Sequence, residues 1–363
     1  MLSSKTVKGN SRMKVLVVFG GQSSEYEVAC RSAAYVTSQI DRMKYEVHTV
    51  GVTKGGRWLY TYASPTEMAD LSWEQHKDNR PCVLSPDARL RGLQFADGER
   101  MPVDVVFPIM HGKNGEDGAI AALCQMASLP QVGCSMTSGA ICMDKMITKV
   151  ICEKYGIPQA KWNYCFAHDI AADAEGAADM VMEGLEYPVF VKPCSAGSSV
   201  GIGKAKDREG LLAALKEAAK HDFKVVVEAF IEGQEVELAV LGSRFDPVVS
   251  LPGEIEPTAE FYSYDAKYND DTSKLHIPAR LEEKTIGELR VLAAKIFKLL
   301  DCAGMSRVDF FVNKEGKILF NEINTIPGHT VISMYPKLLN AYGIGGKDCM
   351  TALIEGALER GLE

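Results

Sequence analysis

Short, largely apolar runs alternate along this chain with stretches of helical period. Residues 14–19, 45–52 and 103–110 are strand-like runs, each stopped by glycine or a polar turn. The first and third, apolar but for Lys14 and Asp104, predict strands buried on both faces, and residues 45–52 predict a second strand. The first breaks at Gly20-Gly21-Gln22-Ser23-Ser24 and gives way to a helical pattern over residues 25–40. Ser23 or Ser24 is the expected cap, and Glu25 and Glu27 suit the positive first turn. Strand, glycine turn and helix predict an α/β domain with a ligand site where strand meets helix. The third run ends in His111-Gly112-Lys113-Asn114-Gly115-Glu116-Asp117-Gly118, ahead of an apolar helix over 119–128. His111 there reads equally well as a ligand contact or a structural histidine. Residues 55–100 show no period beyond a small hairpin near Trp58.

From Gly133 the pattern changes. A helix carrying Asp144 and Lys145 is followed by Gly156-Ile157-Pro158, a turn into a second unit. There a strand over 187–192 runs into a Gly/Ser tract that ends at Lys204. The tract imitates a Walker A loop, but Ser198 and Ala205 occupy positions that motif reserves for Gly and for Ser or Thr. Strand-like flanks make it a hairpin loop, either a plain turn or a lid whose amides and hydroxyls fold over phosphates. Beyond it come a strand over 225–228, a connector over 229–233 and a half-buried strand over 235–241. Residues 256–274 are long, polar and tyrosine-rich, which predicts a functional lid rather than disorder. A helix over 285–300 and a closing helix from 335 complete the pattern.

The last hairpin carries the most chemistry. Apolar runs 308–312 and 317–320 flank the polar loop 313–316. Pairing Val312 with Lys317 sets Asp309 opposite Phe320 and gives Arg307, Asp309, Glu322 and Asn324 one shared face. That face is either merely exposed and charged or a site for Mg²⁺, which commonly takes one or two carboxylates plus substrate phosphates.

Composition removes several classes. A length of 363 residues predicts two or three domains. The net charge of -8 argues against a nucleic-acid partner. Ten scattered cysteines without a C-x-x-C spacing predict buried free thiols in a reducing compartment. The polar first dozen residues do not resemble a signal peptide, and no apolar run approaches the roughly 18 residues needed to span a bilayer. The expectation is a cytoplasmic protein without a membrane partner. A G-x-G-x-x-G turn is absent, so no dinucleotide site is predicted.

Seven stretches together resemble the D-alanine–D-alanine ligases of the ATP-grasp superfamily: GGQSSEYEV (20–28), HGKNGEDG (111–118), MDK (143–145), VKPCSAGSSVGIG (191–203), FYSYDAKY (261–268), RVDFF (307–311) and NEINTIPGHT (321–330). The resemblance implies an α/β chain, an ATP-grasp fold behind an N-terminal Rossmann-like (pre-ATP-grasp) parallel-sheet domain. Residues 13–133 would form that first domain, 134–227 the central one with the phosphate lid, and 228–363 the C-terminal one with an omega-type loop and the metal hairpin. It also implies ATP as substrate, with Lys145, Lys192 and Ser199 on the phosphates, Glu228, Ala229, Phe230 and Ile231 at the adenine, and Glu235 on the ribose. Asp309, Glu322 and Asn324 match ligands of two Mg²⁺ (or Mn²⁺) ions. Glu25, with His111 nearby, matches the holder of the first D-alanine, and Ser198 and Tyr268 complete its hydrogen-bonded set. Arg307 and the Gly328 amide, on a Pro327-Gly328 type II turn, match oxyanion donors. Lys267 and Ser333 match holders of the second carboxylate, and Met334 adjoins that subsite. Ala229 and Phe230 depart from the family's usual lysine and tryptophan, which leaves backbone contacts to adenine but removes a side-chain one. The family is commonly homodimeric. A D-alanine–D-serine ligase is the nearest alternative, since one hydroxyl of discrimination rests on the shape of the second subsite.

Overall fold

The structure, a computed structural model, describes residues 12–198, 200–256 and 274–361. Ser199, Lys267 and Tyr268 lie outside the described residues, as does most of the tyrosine-rich segment.

Three sheets organise the chain. The first holds β1 (Met13–Gly20), β2 (Tyr45–Val52), β3 (Trp58–Tyr60), β4 (Arg80–Leu84), β5 (Gly92–Phe95), β6 (Arg100–Pro102) and β7 (Val105–Ile109). Its order is β6-β5-β4-β3-β2-β1-β7. β1 runs parallel to β2 and β7, while β3 to β6 continue antiparallel beyond β2. The expected parallel sheet is therefore mixed. Its antiparallel half comes from residues 55–100, where strands of three to five residues broken by Pro81, Gly92 and Pro102 carry no long apolar run.

The second sheet, of β8 (Trp162–Phe166), β9 (Val189–Pro193), β10 (Gly203–Ala205) and β11 (Lys224–Ala229), has the order β10-β9-β11-β8. β9 and β10 pair antiparallel, so the Gly/Ser tract is a hairpin loop as predicted. The third sheet holds β12 (Gly233–Gly242), β13 (Pro247–Val249), β14 (Gly253–Glu256), β15 (Lys274–His276), β16 (Gly304–Asn313) and β17 (Ile318–Asn324). Its main path is β15-β14-β12-β16-β17, with β13 beside β12.

β12 is buried from Val236 to Leu241 rather than half-buried, because both faces of the sheet are covered. Val236, Leu238 and Val240 pack toward Ile296 and Phe297 of the helix Glu283–Leu299. Ala239 and Leu241 share a core with Val15 and Val17 of β1 and with Tyr335 and Leu353 of the two closing helices, Met334–Ala341 and Gly346–Arg360. One core thus binds the first sheet to the third, while the second sheet has its own core with helices Ala174–Val181 and Arg208–Ala218.

Three local expectations change. The helix Tyr26–Gln39 has Glu25 at its N-cap without a side-chain cap, and Ser23 Oγ instead accepts from the Glu25 N–H at 3.1 Å. The helix carrying Asp144 and Lys145 is two helices, Met136–Met143 and Lys145–Lys154, with Asp144 capping the second through the Ile147 N–H at 3.1 Å. In the last hairpin Val312 pairs with Ile318, and a bulge between Asp309 and Phe310 sets Asp309 opposite Glu322 and Arg307 opposite Asn324. The bulge restores a shared polar face that a regular ladder in this register would have broken. All ten cysteines are buried and free.

Candidate active site

Two adjoining cavities lie where the sheets converge. The larger, of about 360 Å³, has the size of a small-molecule site. Lys145, Lys192, Ser198, Glu228, Ala229, Phe230, Ile231, Glu235, Glu322 and Asn324 all line it. The smaller, of about 90 Å³, is lined by Glu25, His111, Ser198, Arg307, Gly328, Ser333 and Met334, among others. Glu116, Ser198, Glu322 and Asn324 border both. Residues assigned to nucleotide and to amino acid thus fall in separate chambers with a common wall.

In the larger chamber, the Lys145 ammonium donates to the Ala196 carbonyl at 2.9 Å and lies 3.6 Å from Glu322. Lys192 donates to Glu228 at 3.2 Å and to the Asn321 side chain at 3.4 Å. Glu228 is 4 % exposed, and its other oxygen lies 3.3 Å from the fully buried Lys149 ammonium. Burial alone would raise the Glu228 pKa; Lys149 and then Lys192 overcome it and hold the carboxyl below its ordinary value. Lys204 lies 4.0 Å from the Phe230 ring centroid, beside the aliphatic and aromatic wall.

On the third sheet, Glu237, Asp309 and Glu322 form a row across β12, β16 and β17. Arg307 lies over that row. It grips Asp309 with two bonds of 2.8 and 2.6 Å and meets Glu237 at 3.0 Å. The Asn324 amide donates to Asp309 at 3.1 Å. Among the described residues no three His, Cys, Asp or Glu converge as a ready-made metal cage. Two carboxylates beside an amide oxygen fit a hard divalent cation that brings phosphate oxygens with it.

Ser198 of the Gly/Ser hairpin loop reaches the smaller chamber. Ser198 Oγ donates to Glu25 Oε1, and Ser198 itself adopts a positive φ of 51°. Glu25 Oε2 is buried and, among the described residues, without a hydrogen-bond partner. Gly112 (φ 68°) passes so close that a Cβ there would sit 2.5 Å from this oxygen. His111 uses both ring nitrogens inside the protein, on Ser32 Oγ and the Ile326 carbonyl, each at 2.8 Å. Pro327 and Gly328 do not form a type II turn, since Gly328 lacks the positive φ which that turn requires. They belong instead to an irregular strap after β17, and a Cβ at Gly328 would meet Ser333 Oγ at 2.9 Å.

Sequence reasoning passed over Glu116, Glu237, Lys149 and Ser32. Glu116 accepts from the Gly112 and Ile326 amides at 2.9 and 3.0 Å, and burial and nearby Glu25 push its pKa up to about 7. Lys149 follows Lys145 by one helical turn, and Glu237 follows Glu235 by one strand repeat; those spacings were the available signals.

The family description D-ala D-ala ligase N-terminus matches residues 14–134, and D-ala D-ala ligase C-terminus matches residues 151–355. The chain belongs to the D-alanine–D-alanine ligase family. It is a ligase forming a C–N bond, and its fold is ATP-grasp. It is 46% identical to the D-alanine–D-alanine ligase of Acetivibrio thermocellus over 96% of each chain. Identity to the enzyme of that name from Caldicellulosiruptor bescii is 45%, again over 96% of each. Among solved structures, the VanG D-Ala:D-Ser ligase from Enterococcus faecalis superposes with a TM-score of 0.87 at 36% identity, covering 96% of this chain and 100% of that one. The D-alanine–D-alanine ligase from Coxiella burnetii gives 0.83 at 34% identity, with 96% of each chain covered. No helix among the described residues of this ligase is long and apolar enough to cross a membrane.

Proposed function

We propose that this ligase joins two D-alanines at the expense of ATP, through D-alanyl phosphate and a tetrahedral intermediate, and so supplies the dipeptide for peptidoglycan precursors. The observation that carries this reading is the buried Glu25 oxygen that has no hydrogen-bond partner among the described residues, at the smaller chamber of about 90 Å³ and beside the larger one of about 360 Å³. A buried carboxylate oxygen in that condition calls for a cation, and an amino acid's ammonium supplies one. The first D-alanine is held there with its carboxylate toward the larger chamber.

ATP occupies the larger chamber, its adenine against residues 228–231 and its ribose near Glu235. Lys145, Lys192 and the lid residue Ser199 neutralise and orient the phosphates, which is most of what phosphoryl transfer demands. Asp309, Glu322 and Asn324 would hold Mg²⁺ or Mn²⁺, two ions in the family pattern, which would supply charge neutralisation at the phosphates. The first carboxylate attacks the γ-phosphorus and displaces ADP as the β,γ P–O bond breaks, and the closed lid keeps water from the acyl phosphate. The second D-alanine is received by Lys267 and Ser333, with Met334 shaping the subsite and Tyr268 completing the Glu25–Ser198 set. Its amine attacks the acyl carbon, and Arg307 with the Gly328 amide stabilises the oxyanion. Phosphate leaves, and the C–N bond is made.

Relatives named for D-alanine at 42 to 46% identity, against 36% for the D-serine enzyme, favour D-alanine as second substrate. The resemblance further leads to a cytoplasmic homodimer. Amino-acid-dependent phosphate release tests the reading: D-alanine alone should support turnover without D-serine or D-lactate. Release that requires D-serine would overturn the substrate choice, and no release with any of these would overturn the activity.

A further inference from the structure

The strap that follows β17 is held by side chains of the first domain, and every one of those bonds goes to its backbone. The Ile326 N–H donates to Glu116 at 3.0 Å, and its carbonyl accepts from His111 Nδ1 at 2.8 Å. The His329 N–H donates to Ser32 Oγ at 3.1 Å, and Ser32 Oγ lies 2.8 Å from His111 Nε2. His329 Nδ1 closes onto the Pro327 carbonyl at 2.7 Å. The directions are fixed by chemistry. A carbonyl only accepts, so Nδ1 of His111 carries the proton; Nε2 then accepts from the Ser32 hydroxyl, whose lone pair accepts from His329. The chain runs His329 N–H to Ser32, Ser32 to His111, and His111 to Ile326, joining the two ends of the strap. Burial lowers the pKa of the ring, against the opposing pull of Glu25 and the Ile326 carbonyl and with a smaller push from Arg307, which favours the neutral ring that this tautomer requires.

Within the strap, the Gly328 N–H has no protein acceptor among the described residues, and Gly328 borders the smaller chamber. We propose that Ser32 and His111 are positioning residues which, by clamping both ends of the strap, aim the Gly328 amide at the developing oxyanion. The proposal rests on the two-step reading above. Ser32 is fully buried and lines neither chamber, so it acts through the backbone it holds. Among the described residues the strap has no backbone–backbone bond within residues 325–329, and the His329 side chain on the Pro327 carbonyl is its one internal tie, so it has few other means of fixing an amide's direction; misplacement by about 1 Å costs roughly 100-fold in rate.

The test compares the wild type with Ser32→Ala and, independently, His111→Asn, which keeps a donor near the Nδ1 position but drops the link to Ser32. For each, kcat, the KM for ATP and the affinity for a phosphinate dipeptide (a mimic of the tetrahedral intermediate, measured with ATP present) are determined. Expected is a kcat loss of about 10- to 100-fold, matched by the same factor in phosphinate affinity, with the KM for ATP within about twofold. A purely structural role would not tie the analogue to kcat. If either folded variant keeps wild-type kcat, or loses kcat while holding the phosphinate as tightly as the wild type, the clamp is wrong. A wild type active on D-alanine with unaffected variants sinks the clamp alone. A wild type without D-alanine-dependent phosphate release sinks the parent reading and the clamp together.

Discussion

Lys149→Met tests the electrostatics of the nucleotide wall. Its ammonium is 3.3 Å from Glu228, 1 % exposed, and has no hydrogen bond of good geometry. At that separation, with an effective dielectric of about 20, the attraction is roughly 5 kcal/mol. Burying the lysine costs several kcal/mol against it, and the same burial pushes the Lys149 pKa down. The single substitution should therefore cost only about 1–3 kcal/mol, because removing the attraction also removes the desolvation. Glu228→Gln is different. It strands both Lys149 and Lys192 without their counter-ion, a change worth about 3–5 kcal/mol. In the double variant one of those stranded lysines is gone, so the total should fall short of the sum by about 2–4 kcal/mol. Peptide-resolved hydrogen exchange over β11 reads the opening free energy of this strand without requiring the whole chain to unfold in one step. Additivity within about 0.5 kcal/mol would refute the coupling and make Lys149 a buried spectator.

Glu322→Gln removes charge rather than packing, so turnover should vanish while stability stays within about 1 kcal/mol of wild type; full activity would show that the hairpin face holds no catalytic metal. For Glu116 the folded pKa lies above the ordinary value of 4.5, at about 7, so its stabilising contribution is complete below 4.5 and disappears as pH rises through 7. Glu116→Gln should flatten the stability–pH curve across that window, with a ceiling of roughly 3 kcal/mol at about 1.4 kcal/mol per pH unit, and parallel curves for the two proteins would refute it. With all ten thiols buried, a thiol reagent should titrate almost none in the native protein and ten after denaturation; rapid reaction of several native thiols would contradict the packing.

How much of this was legible depended on the range of the signal. β1 and β7 announced themselves because both faces are buried over most of their length and the runs are nearly all apolar, while β2 showed through a run of β-branched and aromatic residues despite its half-buried first half. β3 showed only as the small hairpin expected near Trp58, and β4 to β6 were illegible, since strands of three to five residues draw their pairing from neighbours rather than from their own pattern. Arg307, Asp309, Glu322 and Asn324 were rightly set on one face, yet by a register that the bulge at Asp309 and Phe310 overturned. Ser32 carried no signal at all: a serine in a helical pattern says nothing of a partner 297 residues away. Lys149 was hidden for a related reason, because a lysine becomes informative only once its burial is known.

The division of labour along the final hairpin follows from its strand geometry. β16 and β17 are rigid, so they suit groups that must stay put under charge: Asp309 and Glu322 side by side, with Arg307 fixed over them by two carboxylates. Past Asn324 the ladder ends, and a backbone amide must become free of ladder bonds if it is to face a reacting carbon. A free amide on an unpaired strap is poorly directed unless something else holds the strap, and in this fold that holding comes from the first domain. On the proposed reading, the domain that would bind the first amino acid through Glu25 would therefore also orient the group that would stabilise its conversion. Any motion separating the first domain from the third sheet would then open the smaller chamber and release the strap in one event.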